Sequence, residues 1–197
     1  SQATAAITQS MGIEHTVAPM SDSPVRTIVH SDQGDLAFQH YFVREGCGPK
    51  VSGFSFDGIA NAKLNPLIRE WLADCDGVII CPSNPFVSVD PMLHLDGFGE
   101  ALKSLPVIAV SPIVGGIAIK GPAAKMMHEL NMPATALAVA DHYQGLIDGF
   151  VVDQTDAALV EQFNVPTIST PSVMVTLQDR IDLARTCVSF LASLSSN

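Results

Sequence analysis

The stretch that decides the fold is PVIAVSPIVGGIAIKGPAAKMMHEL, residues 106–130. It opens with a short apolar run, VIAV, passes through a loop rich in proline and glycine, and continues into AAKMMHEL, whose apolar spacing is typical of a helix. A strand that leads through a loop into a helix is half of a βαβ unit. The stretch therefore predicts a parallel sheet with helices packed against it.

The same alternation recurs on both sides of this stretch. The apolar runs are GVIICPSN, PVIAVSPIVGG, GFVVDQTD and VPTIST, and the helix-like segments are GFGEALKSL, PAAKMMHEL, VADHYQGLI, DAALVEQF and the closing LQDRIDLARTCVSFLASL. Such alternation is typical of a parallel sheet covered on both faces. We predict an α/β fold with three layers (α/β/α) and a mainly parallel, Rossmann-like sheet over residues 78–170. The loops after its first two strands should lie at the same edge of the sheet.

The chain before residue 71 has a different pattern of apolar and polar residues. PVRTIVHSDQGDLAFQHYFVR alternates as a hairpin does around Asp32, Gln33 and Gly34, and KVSGFSFDGIANA predicts a further strand. No linker rich in Pro, Gly or Ser separates this part from the rest. We therefore expect one α/β domain over residues 1–197, with a mixed β-containing portion at 1–70 and a βα-repeat portion at 71–197 that carries phosphate-binding loops.

Composition restricts the classes of partner. Twenty acidic residues against ten basic ones give a formal charge of −10, which repels nucleic acids and anionic membranes. The four cysteines have neither zinc-type spacing nor the pattern of a disulfide framework, and the chain shows neither a signal sequence nor an apolar run long enough to span a membrane. We expect a cytoplasmic protein with no nucleic-acid or membrane partner.

Two loops carry the residues that best suit a phosphate ligand, because ligands of parallel α/β sheets bind beyond the carboxyl ends of the strands. The candidates are Ser83, Asn84, Pro85 and Ser88 after the first strand, and Ser111, Pro112, Gly115, Gly116, Lys120 and Gly121 after the second. Glycines let a backbone approach an anion closely. A turn needs only one glycine and gives no reason for a lysine, which favours binding over a turn in the second loop; in the first, a simple turn is an equal alternative.

Asp153 and Asp156 follow the third predicted strand. A carboxylate at a strand end suits a cation that accompanies a phosphate substrate, so Asp153 is a candidate metal ligand. Asp156 precedes AALVEQF and is interpreted as a helix N-cap. The six histidines form no recognisable metal-binding pair, and no catalytic residue is assigned.

A third candidate segment is PMSDSPVRT, residues 19–27. It brings a carboxylate, a cation and a hydroxyl near one turn, and Asp22, Arg26 and Thr27 are predicted to contact substrate. The alternative is that Arg26 simply solvates the edge of a strand.

Taken together, PMSDSPVRT, FQHYFVR, PSNPFVSVDPML, VSPIVGGIAIKGPAAKMM, HYQGLIDGFVVDQTD and LARTCVSFLA resemble the 2-phospho-L-lactate transferase family of deazaflavin coenzyme (F-420) biosynthesis. The resemblance implies a transferase that moves a phospholactyl or phosphoenolpyruvyl group from a guanosine diphosphate conjugate to the ribityl hydroxyl of 8-hydroxy-5-deazariboflavin, with release of GMP. It also implies Mg²⁺ at the diphosphate. A homodimer is a further expectation.

The family also opens with a glycine-rich strand–loop–helix and acidic residues, which do not precede Ser1 in this sequence. We therefore expect a piece of a longer protein that is incomplete as a catalyst. The competing interpretation is a non-catalytic regulatory protein on a related scaffold, similar to the bacterial morphology and gluconeogenesis factors, which binds a nucleotide-sugar or nucleotide diphosphate. The VSPIVGG and KGP strings favour the transferase.

Overall fold

The first part of the chain forms a small antiparallel sheet in the computed structural model, which describes residues 1–194. Helix α1 (Gln2–Ser10) precedes strands β1 (Arg26–Ser31), β2 (Gly34–Ala37) and β3 (Val51–Asp57), and helix α2 (Pro66–Asp74) follows them. The strand order is β2-β1-β3, with β1 antiparallel to both neighbours. The predicted hairpin and the predicted further strand are confirmed.

The second part contains a parallel sheet and a separate hairpin. The strands are β4 (Val78–Ile80), β5 (Val107–Val110), β6 (Ile113–Val114), β7 (Ile117–Ala118), β8 (Gly149–Asp153) and β9 (Thr167–Thr170). Strands β4, β5, β8 and β9 pair in parallel in that order, whereas β6 and β7 pair only with each other. The predicted parallel sheet is confirmed.

Short helices connect these strands. They are α3 (Asp90–Leu93), α4 (Phe98–Leu102), α5 (Ala123–Glu129) and α6 (Ala136–His142). The long helix α7 (Leu177–Leu194) follows the last strand. A π-helical turn at Pro85–Val89 precedes α3, and a 3₁₀ helix at Gln154–Gln162 joins β8 to β9. Within residues 1–194, no helix combines the length and the apolar character needed to cross a membrane.

Side chains of the central strands point alternately to two separate cores, as the two-residue period of a strand requires. Val107 and Ala109 of β5 belong to the larger core, which also contains residues of α5, α6 and the antiparallel sheet. Ile108 and Val110 belong to a smaller core formed with α7. The sheet is therefore covered on both faces, which confirms the three-layer arrangement.

Two segments differ from their predicted form. The loop predicted after VIAV begins at Ser111, as expected, but it contains the β6–β7 hairpin, which was not predicted. The segment DAALVEQF was predicted to be helical, but its residues 156–162 belong to the 3₁₀ helix instead of an α-helix, and none of the residues of that helix is fully buried. Val160 is only partly buried against the larger core, so this segment gains little from tertiary packing, which normally supplies most of the stability of an α-helix.

The smaller core predicts a contrast between two positions on α7. Leu183 is 5% exposed and packs in this core, whereas Val188 is 58% exposed. Leu183→Ala should lower the free energy of unfolding by about 2–5 kcal/mol, because it removes buried methyl groups and leaves a cavity. Val188→Ala, the control on the same helix, should change it by no more than about 0.5 kcal/mol. Urea denaturation measures both, and equal losses would contradict the placement of α7.

Candidate functional site

A cavity of about 160 Å³ lies at the carboxyl edge of the parallel sheet. Its wall comes from the loops after β4 and β5, from the β6–β7 hairpin with the loop and helix that follow it, and from the segment between β9 and α7. The lining residues are Pro82, Asn84, Ser111, Pro112, Val114, Ile119, Lys120, Ala123, Ser172, Val173, Met174 and Arg180. We call this space the anion cavity. It confirms the prediction that the loops after the first two parallel strands share one edge.

The side chains of two predicted polar residues in this wall form contacts that stabilise their loops. The Ser111 hydroxyl donates to the carbonyl oxygen of Ile113 (2.8 Å) and accepts from the Ile113 amide (3.1 Å). The Asn84 side chain accepts from the Phe86 amide (3.0 Å), as a helix cap does, and its NH₂ group lies 3.2 Å from the sulfur of Met126. These two residues hold the wall in place, so an anion in this cavity would depend mainly on its charged groups.

The two glycines of the second loop form a turn. Gly115 and Gly116 connect β6 to β7, with φ angles of 56° and 82°. A two-residue hairpin turn of type I′ needs positive φ at both positions, which glycine adopts without a steric penalty. The expectation that a turn explains only one glycine is therefore wrong.

The backbone of this turn is held from outside the hairpin. The Gly115 amide donates to the Asp156 carboxylate (2.9 Å), and neither glycine lines the anion cavity. The hairpin instead brings Val114, Ile119 and Lys120 to the cavity wall. The glycine pair thus contributes to the site by directing the chain that carries the lysine.

Lys120 and Arg180 are the cations of the anion cavity. Lys120 follows the hairpin and precedes Gly121, whose φ is 70°, and Arg180 lies near the start of α7. Within residues 1–194, neither side chain forms a salt bridge with a carboxylate. Two cations without a salt bridge at one cavity, in a chain of charge −10, suit an anionic ligand.

Asp153 is buried (4% exposed) at the carboxyl end of β8. One carboxylate oxygen accepts from the amide and the hydroxyl of Thr155 (2.9 and 2.7 Å), and the other accepts from the amide and the hydroxyl of Ser172 (2.8 and 3.0 Å). Burial alone raises the pKa of this carboxyl, but these hydrogen bonds outweigh burial and hold the pKa below its ordinary value. Asp153 therefore positions Ser172 in the cavity wall.

The surroundings of Asp153 do not fit a magnesium site. Mg²⁺ requires oxygen ligands with free lone pairs, whereas both oxygens of Asp153 face N–H and O–H donors. Within the described residues, no group of three or more His, Cys, Asp or Glu gathers as a metal site would require. We therefore assign no chemical step to a metal held by this carboxylate.

The N-cap prediction for Asp156 is wrong. Asp153 caps the 3₁₀ helix through its bond from the Thr155 amide, and Asp156 lies in the first turn. The Asp156 carboxylate instead accepts from Gly115, 41 residues earlier in the chain. Sequence spacing could not indicate this tertiary contact.

The other predicted substrate contacts lie outside the lining of the anion cavity. Ser83 lies in the chain between the cavity residues Pro82 and Asn84. Pro85 is buried at the start of the π-helical turn, and Ser88 of the same turn is exposed to solvent. Arg26 and Thr27 begin β1 in the antiparallel sheet. Asp22 lines a separate surface depression with Lys63 and Arg69. Their role in substrate binding stays a prediction.

Sequence reasoning missed the fourth part of the wall. Ser172, Val173 and Met174 follow β9, and Arg180 comes shortly after them on α7. The signal was present, because VPTIST was predicted as a parallel strand and the loop after it had to emerge at the same edge as the others.

The fold and the cavity together define the class of protein, which is a three-layer α/β protein with a cationic cavity beyond the carboxyl ends of parallel strands. The family model of 2-phospho-L-lactate transferase CofD matches residues 1–179. The chain therefore belongs to the 2-phospho-L-lactate transferase CofD family.

Similar proteins agree with this family assignment. The chain is 37% identical to a 2-phospho-L-lactate transferase of Methanococcoides burtonii over 93% of this chain and 61% of that protein. It is 38% identical to the Methanosarcina barkeri protein of the same name, over 75% of this chain and 48% of that protein. The chain thus spans less than two thirds of these relatives. A crystal structure of a UPF0052 family member from Bacillus halodurans shares the fold, with a TM-score of 0.59, 16% identity, and coverage of 91% of this chain and 64% of that one.

The lowered pKa of Asp153 predicts a pH-dependent contribution to stability. Because the folded pKa lies below the unfolded value of about 3.9, the carboxylate stabilises the fold above that value, and this contribution is lost as the pH falls through the folded pKa. Asp153→Asn, which turns an NH₂ group toward N–H donors, should lower the free energy of unfolding at pH 7 by about 1–3 kcal/mol.

Urea denaturation of wild type and Asp153→Asn across a pH series measures this contribution. The difference between the two proteins should shrink as the wild-type carboxylate is protonated. A difference that stays constant down to the acid limit of folding would contradict the account of the Asp153 hydrogen bonds.

Proposed function

We propose that this chain supplies the phosphate-binding part of a transferase that moves a phospholactyl or phosphoenolpyruvyl group from a guanosine diphosphate conjugate to the ribityl hydroxyl of 8-hydroxy-5-deazariboflavin, releasing GMP. The observation that carries the proposal is the anion cavity with Lys120 and Arg180 in a chain of the 2-phospho-L-lactate transferase CofD family. The names of the relatives support transfer of a phospho-acid group.

The chemistry of such a transfer needs what these two side chains supply. The reacting phosphorus group carries negative charge, and that charge shifts toward the leaving phosphate in the transition state. Cations that are already in place when this charge develops stabilise it without reorganising, and they are most effective where solvent is excluded. Lys120 and Arg180 bind and orient the anionic groups of the donor, and Val114, Ile119 and Met174 add apolar surface to the same cavity.

The proposal assigns no general base and no metal ligand. No histidine lines the anion cavity, and Asp153 is saturated by hydrogen bonds within the described residues. The magnesium requirement implied by the family stays a prediction. It is tested by adding a chelator and then Mg²⁺ to the active protein.

The decisive experiment incubates the full-length protein with the deazaflavin precursor, Mg²⁺ and each candidate donor in turn. Mass spectrometry follows the phosphorylated deazaflavin product, and chromatography follows GMP. Formation of both in equal amounts supports the proposal. Tight binding of donor without product would instead favour the non-catalytic regulatory protein.

Lys120→Ala tests the part played by the lysine. Loss of a charge-assisted hydrogen bond to a phosphate should cost about 1.5 to 3 kcal/mol, which is roughly ten- to a hundredfold in donor affinity or turnover. The apparent affinity for the deazaflavin should change much less. Lys120→Arg should restore only part of the loss, because a planar guanidinium does not replace a compact ammonium.

The matched control is Lys103→Ala. Lys103 is exposed and pairs with Glu100 on the surface, away from the anion cavity. Its removal should leave the kinetics of both substrates unchanged. If Lys120→Ala behaves as Lys103→Ala does, Lys120 is a solvated surface residue.

A further inference from the structure

The volume of the anion cavity limits which part of a donor it holds. At about 160 Å³ it is smaller than the roughly 300–1,000 Å³ of sites that enclose a ligand of nucleotide or drug size. A guanosine with its ribose and two phosphates does not fit inside it. A phosphorylated acid of three carbons is several times smaller than such a conjugate, so it is the part of the donor that this space admits.

The charges in the wall match the two anionic groups of such an acid. Lys120 and Arg180 reach the cavity from different elements, the loop after β7 and the start of α7. A phosphorylated 2-hydroxy acid or its enol carries a phosphate and a carboxylate on adjacent carbons, and so presents two anionic groups to two cations. A ligand with a phosphate alone offers the two cations one anionic group to share instead of one group each.

The two side chains differ in the anion geometry that they recognise. A guanidinium presents parallel N–H groups that can bind a carboxylate in a bidentate pair, as they can a phosphate, whereas an ammonium is a point charge. Of the two cations, Arg180 is therefore the better partner for a carboxylate. Asp179, next to Arg180, does not form a salt bridge with it within residues 1–194; the Asp179 carboxylate accepts from the amides of Val175 and Thr176 and thereby caps α7. The N–H groups of the Arg180 guanidinium are therefore available to a ligand.

The remaining lining residues suit a short carbon skeleton. Pro82, Val114, Ile119, Ala123 and Met174 present apolar surface in the same cavity. Such surface accepts a methyl or methylene group, and it lowers the local dielectric, which strengthens the interaction of both cations with bound anions.

We propose that the anion cavity is the subsite for the three-carbon acid end of the donor, in which Arg180 binds the carboxylate and Lys120 binds the phosphate. The inference rests on the proposed function for the identity of the acid. It makes Arg180 the residue that selects a donor with a carboxylate, and it places the nucleoside outside this cavity.

The test measures binding of two small probes to the full-length protein by calorimetry. One probe is 2-phospholactate, and the other is isopropyl phosphate, which keeps the phosphate and the branched three-carbon skeleton but lacks the carboxylate. Wild type should bind 2-phospholactate about ten- to a hundredfold more tightly, as expected for one charge-assisted bidentate contact.

The variants separate the two roles. Arg180→Ala should abolish the preference between the probes and leave isopropyl phosphate binding nearly unchanged, whereas Lys120→Ala should weaken both probes by a similar factor. Arg180→Lys should keep part of the affinity for 2-phospholactate. Arg185→Ala is the control, because Arg185 is an exposed arginine of the same helix that does not line the cavity. It should behave as wild type.

Several results would overturn the inference. They are equal weakening of both probes by Arg180→Ala, no effect of that variant, or no binding of either probe to wild type. Product formation in the transfer assay is scored separately. If the probes behave as expected and no donor gives product, the acid subsite stands and the proposed transferase fails. If product forms but Arg180 does not discriminate between the probes, only the subsite fails.

Discussion

Burial of the parallel sheet on both faces is the constraint on which the rest of the structure depends. The side chains of β5, and those of Phe150, Val151 and Val152 in β8, belong to the two cores, so these positions cannot contribute to a polar site. Groups that contact a ligand must therefore come from the loops at the ends of the strands. Because the strands are parallel, those loops collect at one edge, and the anion cavity lies there.

Asp153 fixes the last loop of the cavity wall to the sheet. Its carboxylate joins the end of β8 to Ser172 after β9, so that the segment leading to Arg180 starts from a fixed point. A buried carboxylate with four donors is stable as an anion, and removal of any partner would leave a charge insufficiently satisfied. The residue that looked most suited to a metal is thus better explained as a structural anchor of the cavity.

The sequence was sufficient to predict the elements whose signals are local. The apolar runs that became β4, β5, β8 and β9, and the hairpin around Asp32 and Gln33, follow from periodicity and turn chemistry. The shared edge of the loops follows from a general rule for parallel sheets. That reasoning placed Asn84, Ser111, Pro112 and Lys120 at one cavity without any tertiary information.

The parts that could not be predicted depend on contacts between distant residues. The bond from the Gly115 amide to Asp156 and the bonds from Ser172 to Asp153 join positions with no periodic relation. The glycine pair was misjudged for a different reason: the hairpin that needs it has strands of only two residues, too short for alternation to show. Arg180 was missed because an arginine on a helix is usually solvated.

We infer that Lys120 and Arg180 bind one and the same ligand in the anion cavity. The most direct measurement is a crystal structure of the full-length protein soaked with phosphoenolpyruvate. The phosphate should lie at hydrogen-bond distance from the Lys120 ammonium and the carboxylate should make a bidentate contact with Arg180, with donor–acceptor distances of about 2.7–3.2 Å. A ligand bound elsewhere, or one held in the cavity with both cations turned to solvent, would contradict it.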